Sequence, residues 1–235
     1  RYHSTIDPHS KTRGYYRGIA ERYADWAREH GVPLMVYEYN WNLADNLLPF
    51  TRVRSVAEDI RYYHERGVVG WTMQAERVWS TAAAHNYIHA RMLWDPSLDW
   101  RELLAEFSRK AYGPAAAPML ACQLRLAERQ SSAGQEAGSF FAAKLIFDEA
   151  FLAACRADFK AALATAGLTD KQRGRVRVAQ FAFDMLDLYL QWERASQAFE
   201  FPEAMRIGED MRRLFDAAVA FNPHTWGRPS GIYLD

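Results

Sequence analysis

The feature that most restricts the fold is an alternation of two hydrophobic periods across residues 1–97. From 12 to 30, Tyr15, Ile19, Tyr23 and Trp26 recur at spacings of three and four, the period of a helix with one apolar face, and Gly31 is the residue type that closes helices in a left-handed turn. Residues 33–39 (Pro-Leu-Met-Val-Tyr-Glu-Tyr) are short, apolar and aromatic, as in a buried parallel strand. A loop with Asn40, Asn42, Asn46 and Pro49 leads to a second helix over 53–66, closed by Gly67. Residues 68–74 (Val-Val-Gly-Trp-Thr-Met-Gln) form a second strand, and a third helix follows over 83–94. Strands separated by single helices pair in parallel. Residues 1–4 read as the end of one more strand. All-parallel sheets are covered on both faces, which so few strand–helix units cannot do unaided. The expected class is therefore α/β: the C-terminal portion of a (β/α)8 TIM-type barrel, its other strands supplied from elsewhere.

Beyond Asp95-Pro96 the pattern becomes helical throughout. Asp99 with Glu102 predicts a capped helix to about Tyr112, stopped at Gly113-Pro114. Phe147, Phe151, Cys155, Phe159 and Leu163 recur every four residues. Thr169 with Gln172 predicts a cap before a long helix through Trp192, and Pro202 suits the first turn of a last helix with Met205, Met211, Leu214, Phe215 and Ala218 on its apolar side. The expected organisation is a partial barrel over 1–97 and an all-α helical domain over 98–235, with an irregular tail from Asn222.

Composition narrows the function. Apolar residues make up 49% of the chain, enough for a substantial core. The 29 basic and 29 acidic residues cancel, so no overall field draws the chain to nucleic acid or an anionic membrane, and neither is an expected partner. The basic stretch 171–177 reads as a solvated helix face. No apolar run approaches a membrane span, and no signal peptide is present; because the chain opens on Arg1, that absence leaves the compartment open, a secreted or periplasmic bacterial parent included. Cys122 and Cys155 lie in apolar helical stretches and read as buried free thiols. Gly-rich phosphate loops, Gly-x-Ser-x-Gly elbows and His-Glu-x-x-His metal motifs are absent, so no cofactor or metal is expected.

In a (β/α) barrel the reactive groups lie at the carboxyl ends of the strands. Leu34, Val36 and Glu38 share one face of their strand; with the first two filling the interior, Glu38 stands in the mouth. Gly70, Thr72 and Gln74 share a small, polar face in the next strand, whereas Val69, Trp71 and Met73 suit packing on helices; Gln74 and Glu76 then also reach the mouth. The competing reading pairs Glu38 or Glu76 with an arginine such as Arg77. His3 sits at the top of the truncated strand, and Asp7 is either a ligand or part of an ordinary Asp-Pro turn. Tyr39, Trp41 and Trp79 bring flat aromatic faces beside these polar groups, a pairing suited to a sugar's C–H face and hydroxyls.

The residues from Arg1-Tyr2-His3-Ser4 to Asp7-Pro8, Val36-Tyr37-Glu38-Tyr39, Ala57-Glu58-Asp59-Ile60-Arg61-Tyr62-Tyr63 before Gly67-Val68-Val69-Gly70-Trp71, and Leu93-Trp94-Asp95-Pro96 through Ala111-Tyr112-Gly113 are similar, in order and spacing, to the bacterial family first catalogued as domain of unknown function 4838, part of which is classed as glycoside hydrolase family 163. The resemblance spans about residues 1–120. It implies a (β/α) barrel with a helical extension and endo-β-N-acetylglucosaminidase activity on N-glycans. Similar enzymes use the substrate's acetamido group as nucleophile, one carboxylate orienting it and another acting as general acid. Here Asp148-Glu149 is the only adjacent Asp-Glu pair in that order, and it falls in a helical stretch. The resemblance therefore places the catalytic pair upstream of Arg1, leaving Glu38, Gln74 and Glu76 as sugar-gripping residues of a chain inactive alone. The implied partners are a glycan and either the N-terminal remainder of the same protein or a second chain. The alternatives are a non-catalytic carbohydrate-binding or structural module, and a helical interaction domain that completes a partner's sheet.

Overall fold

The computed structural model describes residues 4–8, 10–39, 47–74, 79–134 and 142–223. Its first part runs α1 (Lys11–His30), β1 (Leu34–Tyr39), α2 (Val53–Glu65), β2 (Val68–Gln74) and α3 (Trp79–Trp94). Ser10 caps α1, accepting from the Arg13 N–H at 3.1 Å. Gly31 ends it at φ 64°, where the Val32 N–H closes on the Ala27 carbonyl at 2.9 Å, a turn that favours glycine. β1 and β2 pair in parallel, Val36 opposite Trp71 and Glu38 opposite Met73. Leu34 faces Val68 and Met35 faces Gly70, so Val69 is the extra residue of a bulge and stands 70% exposed. Among the described residues the sheet has two strands. The expected α/β portion with a helical extension is present. Ser4, expected at the end of a strand, is buried beside Thr5 at a turn; residues 1–3 lie outside the described residues.

The register overturns one expectation. Opposed residues of a parallel pair share a face. Trp71 packs edge-on against Tyr63 of α2 and His89 of α3, at ring separations of 5.5 and 5.8 Å. Val36 and Glu38, opposite Trp71 and Met73, therefore face the helices and not a barrel interior. The other face carries Met35, Tyr37 and Tyr39, exposed at 62%, 59% and 49%, with Gly70 and exposed Thr72. Met35 lies over Gly70 so closely that a Cβ there would come within 2.6 Å of the methionine Cε.

The second part runs α4 (Trp100–Tyr112), a 3₁₀ turn at Gly113–Ala115, α5 (Ala116–Ser131), α6 (Ala143–Ile146), α7 (Glu149–Ala164), α8 (Asp170–Gln197) and α9 (Phe201–Phe221). Asp99 caps α4 through the Arg101 and Glu102 N–H groups, and Thr169 with Gln172 forms the reciprocal box of α8. Pro202 lies in the first turn of α9. Phe147, Phe151, Cys155 and Phe159 are buried with Phe183, Leu186 and Phe215 in the larger core. Two stripes differ from expectation. In α9 the buried residues are Ala204, Ile207, Phe215 and Ala218, and Met205, one position out of phase, is 71% exposed. In α1 the small residues Ala24 and Ala27 are buried, whereas Tyr15, Tyr23 and Trp26 are more than half exposed. The basic stretch opening α8 is partly structural: Arg173 donates to the Leu163 carbonyl and Arg175 to that of Ala111.

A second core joins the parts, with Val56, Ile60, Ile88 and Met92 packed on Trp100, Leu103 and Leu104. Each of the larger side chains contributes about 1.5–3 kcal/mol by leaving water. The expected boundary at 97/98 falls inside this shared core. Among the described residues no helix is long and apolar enough to cross a membrane.

Candidate functional site

The described polar groups converge under the carboxyl ends of β1 and β2. Arg52 immediately precedes α2, and its side chain is 1% exposed. It donates to Glu38 at the end of β1, to Asp59 at 3.1 Å and to Ser55 Oγ at 3.2 Å. Helical spacing explains the set: positions 52, 55 and 59 fall on the face of α2 that also buries Val56 and Ile60. The Thr5 N–H donates to Asp59, so the segment before α1 is tied to the same carboxylate. One guanidinium thus serves two carboxylates out of water. Burial pushes Asp59 up to about 6 against the pull of Arg52, and the Glu38 charge adds to the rise.

His85 and His89 lie one turn apart on α3, on the face that buries Ile88 and Met92. Burial, then the Arg52 cation and His89, hold His85 down at about 3. Burial also lowers His89 to about 4, with Glu38 opposing and Arg52 adding to the fall. Both imidazoles are neutral at neutral pH. The Nδ1 of His89 meets the Met73 sulfur, which places this ring against the end of β2. Among the described residues no three His, Cys, Asp or Glu side chains group as a metal site.

The expected site residues separate. Glu38 is on the helix side, its side chain 16% exposed and bonded to Arg52, the arginine pairing of the competing reading with a different partner. Tyr39 is on the open face, its ring edge-on to Tyr37 at 5.4 Å. The backbone of Gln74 pairs with that of Tyr39, and Trp79 opens α3; their side chains lie outside the described residues, as do His3, Trp41 and Glu76. Asp7 belongs to a turn, its N–H donating to the Ser4 carbonyl. Arg52, Asp59, His85 and His89 were not among the expected site residues. For Asp59, His85 and His89 the signal is a polar residue with apolar ones about a turn away: Val56 and Tyr62, Ala82 and Ile88, Met92 and Leu93.

Parallel strands joined by single helices, with a buried charge cluster at the strands' carboxyl ends and a helical extension, define an α/β protein of the strand–helix–strand class. A family model described as Domain of unknown function (DUF4838) matches residues 7–124, half of the chain, and the chain belongs to that family. The match runs from the segment before α1 into α5 and so includes Glu38, Arg52, Asp59, His85 and His89. No curated protein and no solved structure matches.

Proposed function

We propose that this chain is part of a carbohydrate-active (β/α) barrel of glycoside hydrolase type, acting on N-glycans in the manner of an endo-β-N-acetylglucosaminidase. In this reading it supplies late strands and an aromatic wall, while the catalytic acid pair comes from further strands. The observation that carries the reading is the open sheet face of Met35, Tyr37, Tyr39 and Thr72. A two-stranded parallel sheet with one bare face needs further strands beside it, and in a ring that face turns inward. Tyr39, last on β1, then stands where a sugar ring can stack and its hydroxyls find a phenol. Glu38, held by Arg52, fixes the strand end; Gln74 and Glu76 are left as the sugar-gripping groups.

A second reading, a carbohydrate-binding module without catalysis, is favoured by one observation. The described carboxylates nearest the strand ends, Glu38 and Asp59, are both committed to Arg52. Calorimetric titration and hydrolysis assays with an N-glycan glycopeptide separate the readings when run on this chain and on a longer polypeptide containing it. Cleavage by the longer form, weakened tenfold or more by Tyr39→Ala, supports the hydrolase. Binding without cleavage selects the module, and no binding by either form removes both.

A further inference from the structure

The core of the helical part contains a chemical pair that the strand-end site does not use. Cys122 lies on the face of α5 that buries Met119 and Leu126, and Cys155 on the face of α7 that buries Phe151 and Phe159. The helices pack on each other, both residues belong to the larger core, and they are 1% and 0% exposed. Their thiols are free and lie close enough to influence each other. A buried cysteine commonly behaves as a small apolar residue, and one alone would be unremarked. Two in contact across a helix–helix interface are also the reactants of a bond. We propose that Cys122 and Cys155 form a disulfide that staples α5 to α7 when the chain folds in an oxidising environment.

The oxidant is a small-molecule disulfide such as glutathione disulfide. One cysteine thiolate attacks it, forming a mixed disulfide and releasing one glutathione thiolate. The second cysteine then attacks the protein sulfur of that mixed disulfide and releases the other glutathione. Two protein thiols are oxidised, one glutathione disulfide is reduced to two thiols, and the two protons lost by the protein end on the released glutathiones. Timing follows from burial. The neighbouring Cys155 thiol, and then burial, hold Cys122 well above the ordinary thiol range, so the folded core contains little thiolate and admits no oxidant. Closure therefore belongs to the folding chain, and the finished bond is sealed from reductants.

The test is to refold the 235-residue chain in a glutathione redox buffer and, in parallel, to expose chain already folded under reducing conditions to the same buffer. The refolded sample is expected to lose both titratable thiols, to be lighter by two hydrogens, to yield one linked peptide pair containing Cys122 and Cys155, and to melt several degrees higher than the reduced form. The prefolded sample is expected to keep both thiols at least ten times longer. Cys122→Ser must abolish the loss of two hydrogens. Retention of both thiols after refolding, glutathione adducts on separate cysteines, or disulfide-linked dimers would overturn the proposal.

Discussion

The helical part and the α/β part use aromatic residues in opposite ways. Phe151, Phe159, Phe183 and Phe215 come from three helices and lie in one core, built mainly by α5, α7, α8 and α9 with Leu48 and Phe50 from before α2. Tyr15, Tyr23, Trp26, Tyr37 and Tyr39 leave α1 and β1 toward solvent. The two parts also differ in what they bury: the helical core is almost wholly apolar, whereas the strand ends carry Glu38, Arg52, Asp59, His85 and His89. The exposed rings are what the proposed barrel reading would cover with further strands, whereas the helical core offers no such open face.

That contrast can be broken by substitution. Arg52→Met should have the largest effect, about 3–5 kcal/mol of stability in urea unfolding at neutral pH, because it strands the buried Asp59 and the partly buried Glu38. A loss below 1 kcal/mol would mean that the cluster is wetter than its burial indicates. Leu186→Ala, in the apolar helical core, should cost about 2–5 kcal/mol through transfer and cavity together. Next comes the pH dependence of the two histidines. Their folded pKa values lie below the unfolded value, so between about pH 4 and 6.5 the unfolded chain takes up protons that the folded chain refuses. Their contribution to stability is complete above pH 6.5 and is lost as pH falls. Relative to His85→Gln/His89→Gln, the unmodified chain should lose on the order of 2 kcal/mol per histidine between pH 7 and pH 5. Parallel curves for the two proteins would show that the imidazoles are hydrated. Smallest are Tyr37→Ser and Met205→Ser, each expected within about 0.5 kcal/mol of the unmodified chain. A loss like that of Leu186→Ala would put either residue in a core.

Much of the element order was legible because it is local. Gly31, Asp99, Thr169 with Gln172, and Pro202 each act within one helical turn, and each stands where its type predicted. Faces were harder to read. Alternation shows that Leu34, Val36 and Glu38 share a side but not which side it is; that depends on the pairing of Val36 with Trp71, a contact 35 positions away along the chain. Trp71, too large for anything but the helix layer, held the clue. In α9, Met205 belongs to a plausible apolar series, and only packing on α8 shows that the series through Ala204, Ile207 and Phe215 is the buried one. The aromatic spacing of α1 was real, but a stripe says nothing about whether a partner is present. The ion cluster stayed hidden because an arginine before a helix usually reads as solvated.

Methionine oxidation by peroxide, followed by peptide mass spectrometry on the folded chain, tests the open sheet face most directly. Met35 and Met205 should oxidise first and at similar rates, at least ten times faster than Met92, Met119 and Met185, which are 0–2% exposed. Protection of Met35 equal to that of Met119 would contradict the account, because Met35, Tyr37 and Tyr39 would then be covered by the chain's own residues.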